Sequence, residues 1–222
     1  MQLLHSQTFP FENINPLLAL PVNLDFESLY NKFVDNGRGG YCFEQNIFFM
    51  NILKMLGYKV RGLTGRVYNG DNMINRRAHM LLLIRIYGQN YISDVGFGSR
   101  APSQPLLLEV DVEQATKYEL FRINKNGEGY ILQTMGKDSW RPLYLFDLQK
   151  QYDEDFEVGN WYTSTHPTSN FRHELMVSLK CGDKRYSLNN NIMTTYYIQD
   201  GMDRVELKSE AEIVEVLRNV FG

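Results

Sequence analysis

Cysteine is nearly missing from this chain. There are two in 222 residues, Cys42 and Cys181. That is too few for a disulfide framework, although a single bridge is compatible with the count. Reduced thiols in a cytoplasmic protein are the expectation. No Cys-x-x-Cys or His-x-x-x-His spacing occurs, so no metal site is expected. No apolar run reaches the roughly 18 residues that span a bilayer, and no membrane partner is expected. The start, Met1-Gln2-Leu3-Leu4-His5, lacks the charged lead and apolar core of a signal peptide. A basic excess is absent too. The net charge is -3, which argues against nucleic acid as a partner. Internal repeats and low-complexity linkers are also lacking.

What is present suits a globular protein. A chain of 222 residues holds one large domain or two to three small ones. Aromatic residues make up 13%. That fits a dense β core or an aromatic-lined pocket, and the number alone does not choose between them.

Periodicity orders the elements. Phe26, Leu29, Tyr30, Phe33 and Val34 lie on one helix face, with Gly37 as its stop. A second helix is predicted from Cys42 to Leu56, ended by Gly57. Its apolar residues nearly encircle it, so it should be buried. Strands are predicted over Tyr58–Tyr68, Ala78–Tyr87 and Tyr91–Phe97, with turns at Asn69–Asn72 and Gly88–Asn90. Further strands fall near Tyr118–Ile123, Tyr130–Met135 and Arg141–Phe146, with a turn at Asn124–Gly127. Close spacing of this kind predicts a small barrel or sandwich. An acidic stretch, Asp147–Trp161, reads as a connecting helix. Phe171–Lys180 and Lys184–Leu188 read as a hairpin. A terminal helix starts with the capping-box pair Ser209 and Glu212 and carries Ile213, Leu217 and Val220 on its apolar stripe.

The chemistry centres on Cys42. It follows a glycine pair at the predicted start of a helix. Unpaired N–H groups there favour negative charge, and the thiolate is the reactive form of cysteine. The competing reading is a buried cysteine used as a small hydrophobe. Cys181, at a hairpin tip, has no such context. His79 sits in an apolar strand and either serves as a base for the thiol or is a hydrogen-bonded core histidine. Asp94 precedes a glycine-rich turn and either orients the histidine or only shapes the turn. His166, in a Ser/Thr/Pro loop, competes with His79 for the role of base. With a hairpin turning on Gly88-Gln89, His79 and Asp94 share a sheet face but stand four positions, roughly 13 Å, apart. Local pairing therefore permits the triad without building it.

Several segments, in order, resemble the arylamine N-acetyltransferases. They are Phe9-Pro10-Phe11-Glu12-Asn13, Arg38-Gly39-Gly40-Tyr41-Cys42-Phe43-Glu44-Gln45-Asn46, Ala78-His79-Met80, Asp94-Val95-Gly96-Phe97-Gly98 and Ser164-Thr165-His166-Pro167 through Phe171. The cysteine segment together with the aspartate turn is the most specific match. The resemblance implies an α+β fold with a Cys-His-Asp core similar to that of papain-like enzymes and transglutaminases. It divides the chain into a helical domain (1–58), a β-barrel (59–146), a connecting helix (147–163) and an α/β lid (164–222).

It also implies a reaction. Acetyl-CoA would acylate Cys42, and an arylamine or arylhydrazine would then take the acetyl group by a ping-pong route, coenzyme A having left. His79 would shuttle protons and Asp94 would orient it. Phe97 would offer an aromatic wall, Gly96 and Gly98 would admit the donor near the backbone, and Glu12 with Arg38 would brace the cysteine loop. Family members carry a further helix of about 25–30 residues before the segment matching Leu3–Asn13. This chain begins almost there, so its helical domain is expected to expose apolar surface. Two other functions compete. One is a cysteine hydrolase using the same triad. The other is a truncated, non-catalytic homologue that binds aromatic ligands.

Overall fold

The computed structural model describes residues 1–69, 73–74, 76–198 and 201–222. The predicted turn at Asn69–Asn72 therefore lies mostly outside the described residues. The chain opens with helix α1 (Gln2–Thr8), strand β1 (Phe11–Glu12), and helices α2 (Ile14–Leu17), α3 (Phe26–Tyr30) and α4 (Cys42–Met55). Asp25 caps α3 by accepting from the Ser28 N–H. The helical path continues as a wider turn over Asn31–Asp35 and stops at Gly37, whose φ of +64° suits only glycine without strain. Of the predicted apolar face, Leu29 and Phe33 are buried, whereas Phe26, Tyr30 and Val34 are exposed. Helix α4 is buried on nearly every side and ends before Gly57, again at positive φ.

Strands β2 (Lys59–Asn69), β3 (Met73–Ile74), β4 (His79–Ile86), β5 (Gln89–Ser93), β6 (Leu106–Leu107), β7 (Glu113–Ala115), β8 (Leu120–Asn126), β9 (Gly129–Met135) and β10 (Trp140–Phe146) follow. They form one sheet in the order β6-β5-β4-β2-β10-β9-β8-β7, with β3 paired to β2. The sheet nearly closes. Across the remaining gap the Gln114 amide, on β7, accepts from the Leu107 N–H at 2.7 Å and donates to the Leu107 carbonyl at 2.9 Å. A side-chain amide thus replaces one rung of backbone pairing.

Strand β4 explains how helix and barrel meet. Met80, Leu82 and Ile84 pack into the cluster around α4, whereas Leu81 and Leu83 belong to the barrel core with Phe121, Leu132 and Phe146. Side chains alternate faces along a strand, so an unbroken apolar run marks burial on both sides. His79 has the parity of Leu81 and sits at the rim of the barrel.

Helix α5 (Asp153–Thr165) begins six residues later than the predicted connecting helix and runs past its expected end. The Asp155 carboxylate accepts from the Tyr152 N–H at 2.8 Å and fixes that start. Asp147 is held instead by Arg77 and by the Gln149 N–H. Strands β11 (Met176–Cys181), β12 (Lys184–Asn189), β13 (Ile192–Tyr197) and β14 (Met202–Glu206), then helix α6 (Glu210–Val216), complete the chain. Phe171–Leu175, expected in the first hairpin strand, lies outside β11, which begins at Met176. The Ser209 hydroxyl caps α6 at the Glu212 N–H, and Ile213, Leu217 and Val220 pack toward Val177 and Leu188. The C-terminal sheet has the order β1-β11-β12-β13-β14. Phe11 and Glu12, expected in the helical domain, are instead its edge strand. No helix among the described residues is long and apolar enough to cross a membrane.

Candidate active site

The glycine pair before Cys42 is required by close backbone packing. A Cβ on Gly39 would lie 1.6 Å from the Pro10 carbonyl oxygen, and one on Gly40 would lie 2.6 Å from the Glu44 carboxylate. This closeness lets the Gly40 N–H donate to the Pro10 carbonyl and the Glu12 N–H to the Gly40 carbonyl. Cys42 is thereby set in the first turn of α4, 4% exposed.

Charged groups pin the same turn. Glu44 accepts from the Tyr41 N–H at 3.1 Å and from Lys32 Nζ at 2.6 Å. Burial pushes the Glu44 carboxyl up to about 7, Lys32 opposing and Glu12 adding to the shift. Glu12 itself receives Arg38 at 2.6 Å, Lys32 at 3.3 Å and the Ile14 N–H at 2.7 Å. Glu12 and Arg38, paired in the sequence analysis, are therefore in contact beneath the cysteine loop.

The β4–β5 hairpin brings His79 and Asp94 together. Its turn is Tyr87-Gly88, both at positive φ, and Ile86 pairs with Gln89. This is the two-residue primed turn that suits twisted strands. The register expected from a Gly88-Gln89 turn was off by two, and β5 ends at Ser93 instead of continuing to Phe97. Ser93 faces Leu82, so Asp94 leaves the sheet beside Leu81 and turns back toward the strand end. The two-residue correction and this turn remove the separation of roughly 13 Å inferred from pairing alone. His79 Nε2 donates to Asp94 Oδ2 at 2.7 Å, with both side chains buried.

Electrostatics couple the three groups. Burial acts against charge on His79. Asp94, by charge and hydrogen bond, and then Cys42 more than offset it, and the imidazole is raised to about 10. Burial likewise opposes the Asp94 carboxylate, but His79, Asn46 and the Gly96 N–H hold its pKa below the ordinary value. With Nε2 committed to Asp94, Nδ1 remains for the thiol. The Cys42 Sγ also lies 3.8 Å from the Ala78 carbonyl, one residue before His79.

Asn46 ties these parts together, a role that its sequence context alone did not reveal. Its Nδ2 donates to the Met80 carbonyl at 2.8 Å and to Asp94 Oδ1 at 3.1 Å, and its Oδ1 accepts from the Val95 N–H at 3.2 Å. The available signal was its spacing: four residues after Cys42, it lies on the same helix face. Tyr144 was overlooked as well. Its ring centroid is 4.7 Å from that of His79 and 5.0 Å from that of Phe97.

A cavity of about 320 Å3 opens onto Cys42, His79, Gly96 and Phe97, with Phe11 and Phe171 among its walls. Gly98 does not line it, and its φ of +66° accounts for glycine there. Gly96 does line it, but its lack of a side chain also serves the protein. A Cβ would fall 2.5 Å from Cys42 Cα. His166 stacks on Tyr162 outside the cavity and hydrogen-bonds Thr168. Cys181 is exposed at the end of β11. No metal-binding cluster of His, Cys, Asp or Glu occurs among the described residues.

The N-acetyltransferase family model matches residues 1–222. The chain is 35% identical to the arylamine N-acetyltransferase of Mycolicibacterium smegmatis, over 98% of this chain and 81% of that protein. It superposes on the solved arylamine N-acetyltransferase of M. tuberculosis with a TM-score of 0.95 at 36% identity, covering 100% of this chain and 84% of that one. The enzyme of Mycobacterium marinum in complex with CoA gives the same TM-score and identity, at 100% and 83% coverage. Cavity, buried thiol and sheet topology thus occur in a chain that belongs to the arylamine N-acetyltransferase family and is an acyltransferase.

Proposed function

We propose that this enzyme moves an acetyl group from acetyl-CoA to an aromatic amine or hydrazine through an acetyl-Cys42 intermediate. The observation that carries the proposal is the 2.7 Å His79–Asp94 hydrogen bond beside a thiol at a helix start, with His79 and Cys42 lining one aromatic-walled cavity. The CoA complex of the M. marinum relative supports the donor.

In the first half-reaction the Cys42 sulfur attacks the thioester carbonyl, and His79 holds the thiol proton as imidazolium. The S–C bond to coenzyme A breaks, the new S–C bond to Cys42 forms, and the departing thiolate takes the proton from His79. The Cys42 N–H, at the start of α4, is the candidate donor to the developing oxyanion. In the second half-reaction the neutral amine attacks the acetyl carbonyl. His79 accepts the amine proton and returns it to the cysteine sulfur. Thioester-to-thioester exchange is nearly balanced in energy, whereas amide formation runs downhill. Asp94 keeps the imidazole oriented, Phe97 and Phe171 provide walls for the ring, and Glu12 with Arg38 braces the loop.

Rapid quench after mixing with acetyl-CoA, with and without aniline, tests this reading. Coenzyme A must be released in one burst per active site without aniline, and acetanilide must form when aniline is present. If added amine never changes the product and acetate accumulates instead, water is the acceptor and the transferase reading fails.

A further inference from the structure

Two adjacent arginines lead into β4 and have different fates. Arg77 is ion-paired with Asp147. Arg76 lines the cavity that holds Cys42 and His79. Its guanidinium carbon lies 4.8 Å from the centroid of the Tyr162 ring. Among the described residues it makes no ion pair and no side-chain hydrogen bond. Tyr162 is itself fixed, since its hydroxyl is 3.0 Å from the Thr168 hydroxyl and its ring stacks on His166 at 4.6 Å.

The ring contact holds the guanidinium at the cavity wall, and its N–H donors have no partner among the described residues, an arrangement suited to a carboxylate. Among the described residues no aspartate or glutamate lines the cavity, and the cation of His79 is already met by Asp94. Apolar walls from Phe11, Phe97 and Phe171 give a ring a place between Arg76 and the thiol.

We propose that Arg76 is a specificity-determining residue that receives the acid group of an aromatic amine carrying a carboxylate on its ring. The proposal rests on the acetyl-transfer reading above and narrows its acceptor class. The exposed position limits the size of the effect, because water and salt screen the contact.

The test compares 4-aminobenzoate with its neutral isostere 4-aminobenzamide, as a ratio of kcat/KM. The wild type favours the acid, and Arg76→Gln lowers the acid-to-amide ratio about tenfold, the scale of one charge-assisted hydrogen bond. Arg76→Lys, which keeps the charge but loses the fork, restores part of it. Raising ionic strength lowers the wild-type ratio. Acetyl loading of Cys42 without amine is read by mass in the same proteins. Failure of the wild type to load overturns the transferase reading along with this one. Normal loading with an unchanged ratio in Arg76→Gln overturns this proposal alone. So does an unchanged ratio accompanied by a raised KM for acetyl-CoA but not for acetyl-pantetheine, which would assign Arg76 to the donor's phosphates.

Discussion

Gly96 and Cys42 touch through their backbones. A single added Cβ at Gly96 would stand 2.5 Å from Cys42 Cα and 2.7 Å from the Asn46 amide nitrogen. The aspartate turn and the cysteine helix therefore pack with no room for a methyl group. Gly96→Ala should cost about 1–3 kcal/mol by overpacking. It should also lower turnover, because the turn that must move carries Asp94. Thermal unfolding and initial rates check both.

Asn46→Ala removes the links between α4, β4 and the aspartate turn. It strips partners from the Met80 carbonyl, the Val95 N–H and one oxygen of Asp94, all buried. The expected loss is about 2 kcal/mol in urea unfolding. A fall in kcat exceeding any rise in KM would reflect a mispositioned histidine.

The reach of the sequence stops where long-range geometry begins. Helix α4 was legible because the glycine pair before Cys42 and Gly57 mark its boundaries and because apolar residues nearly encircle the segment between them. Strand β4 was legible from an apolar run too long for one buried face. The His79–Asp94 contact was not. It depends on whether the hairpin turns at Tyr87-Gly88 or one residue later, and on a chain that leaves the sheet immediately after Ser93. The resemblance supplied that pair where local pairing did not. Residues 11–12 gave no strand signal, because so short an edge strand forms only against its partners, β11 and the cysteine loop. Strands β13 and β14 are polar or exposed along much of their length and lack clean alternation.

Glu12 should prove costly to change. It is 3% exposed and receives two cations and a backbone N–H. Glu12→Gln leaves Lys32 and Arg38 poorly matched beneath the cysteine loop. A loss of about 3 kcal/mol is expected from denaturant titration, the scale of a broken buried pair.

The His79–Asp94 pair sets a pH dependence of stability. The folded imidazole titrates at about 10, above its ordinary value of 6.5. In that interval the folded state holds a proton that the unfolded chain has lost, so stability falls as pH rises from 6.5 toward 10. The contribution is complete below 6.5 and gone above 10. Lys180, lowered by burial to about 8, contributes with the opposite sign above that pH. The comparison of wild type with His79→Gln isolates the histidine: only the wild type should show its share of the decline in urea midpoint between pH 6.5 and 10.

Intact-protein mass after brief exposure to acetyl-CoA, followed by peptide mapping, tests the central claim most directly. The account requires one acetyl group on the cysteine of α4, none in Cys42→Ser, and slow loading in His79→Gln. Folded wild-type protein that stays unmodified, or that carries its acetyl group on Cys181, would contradict it.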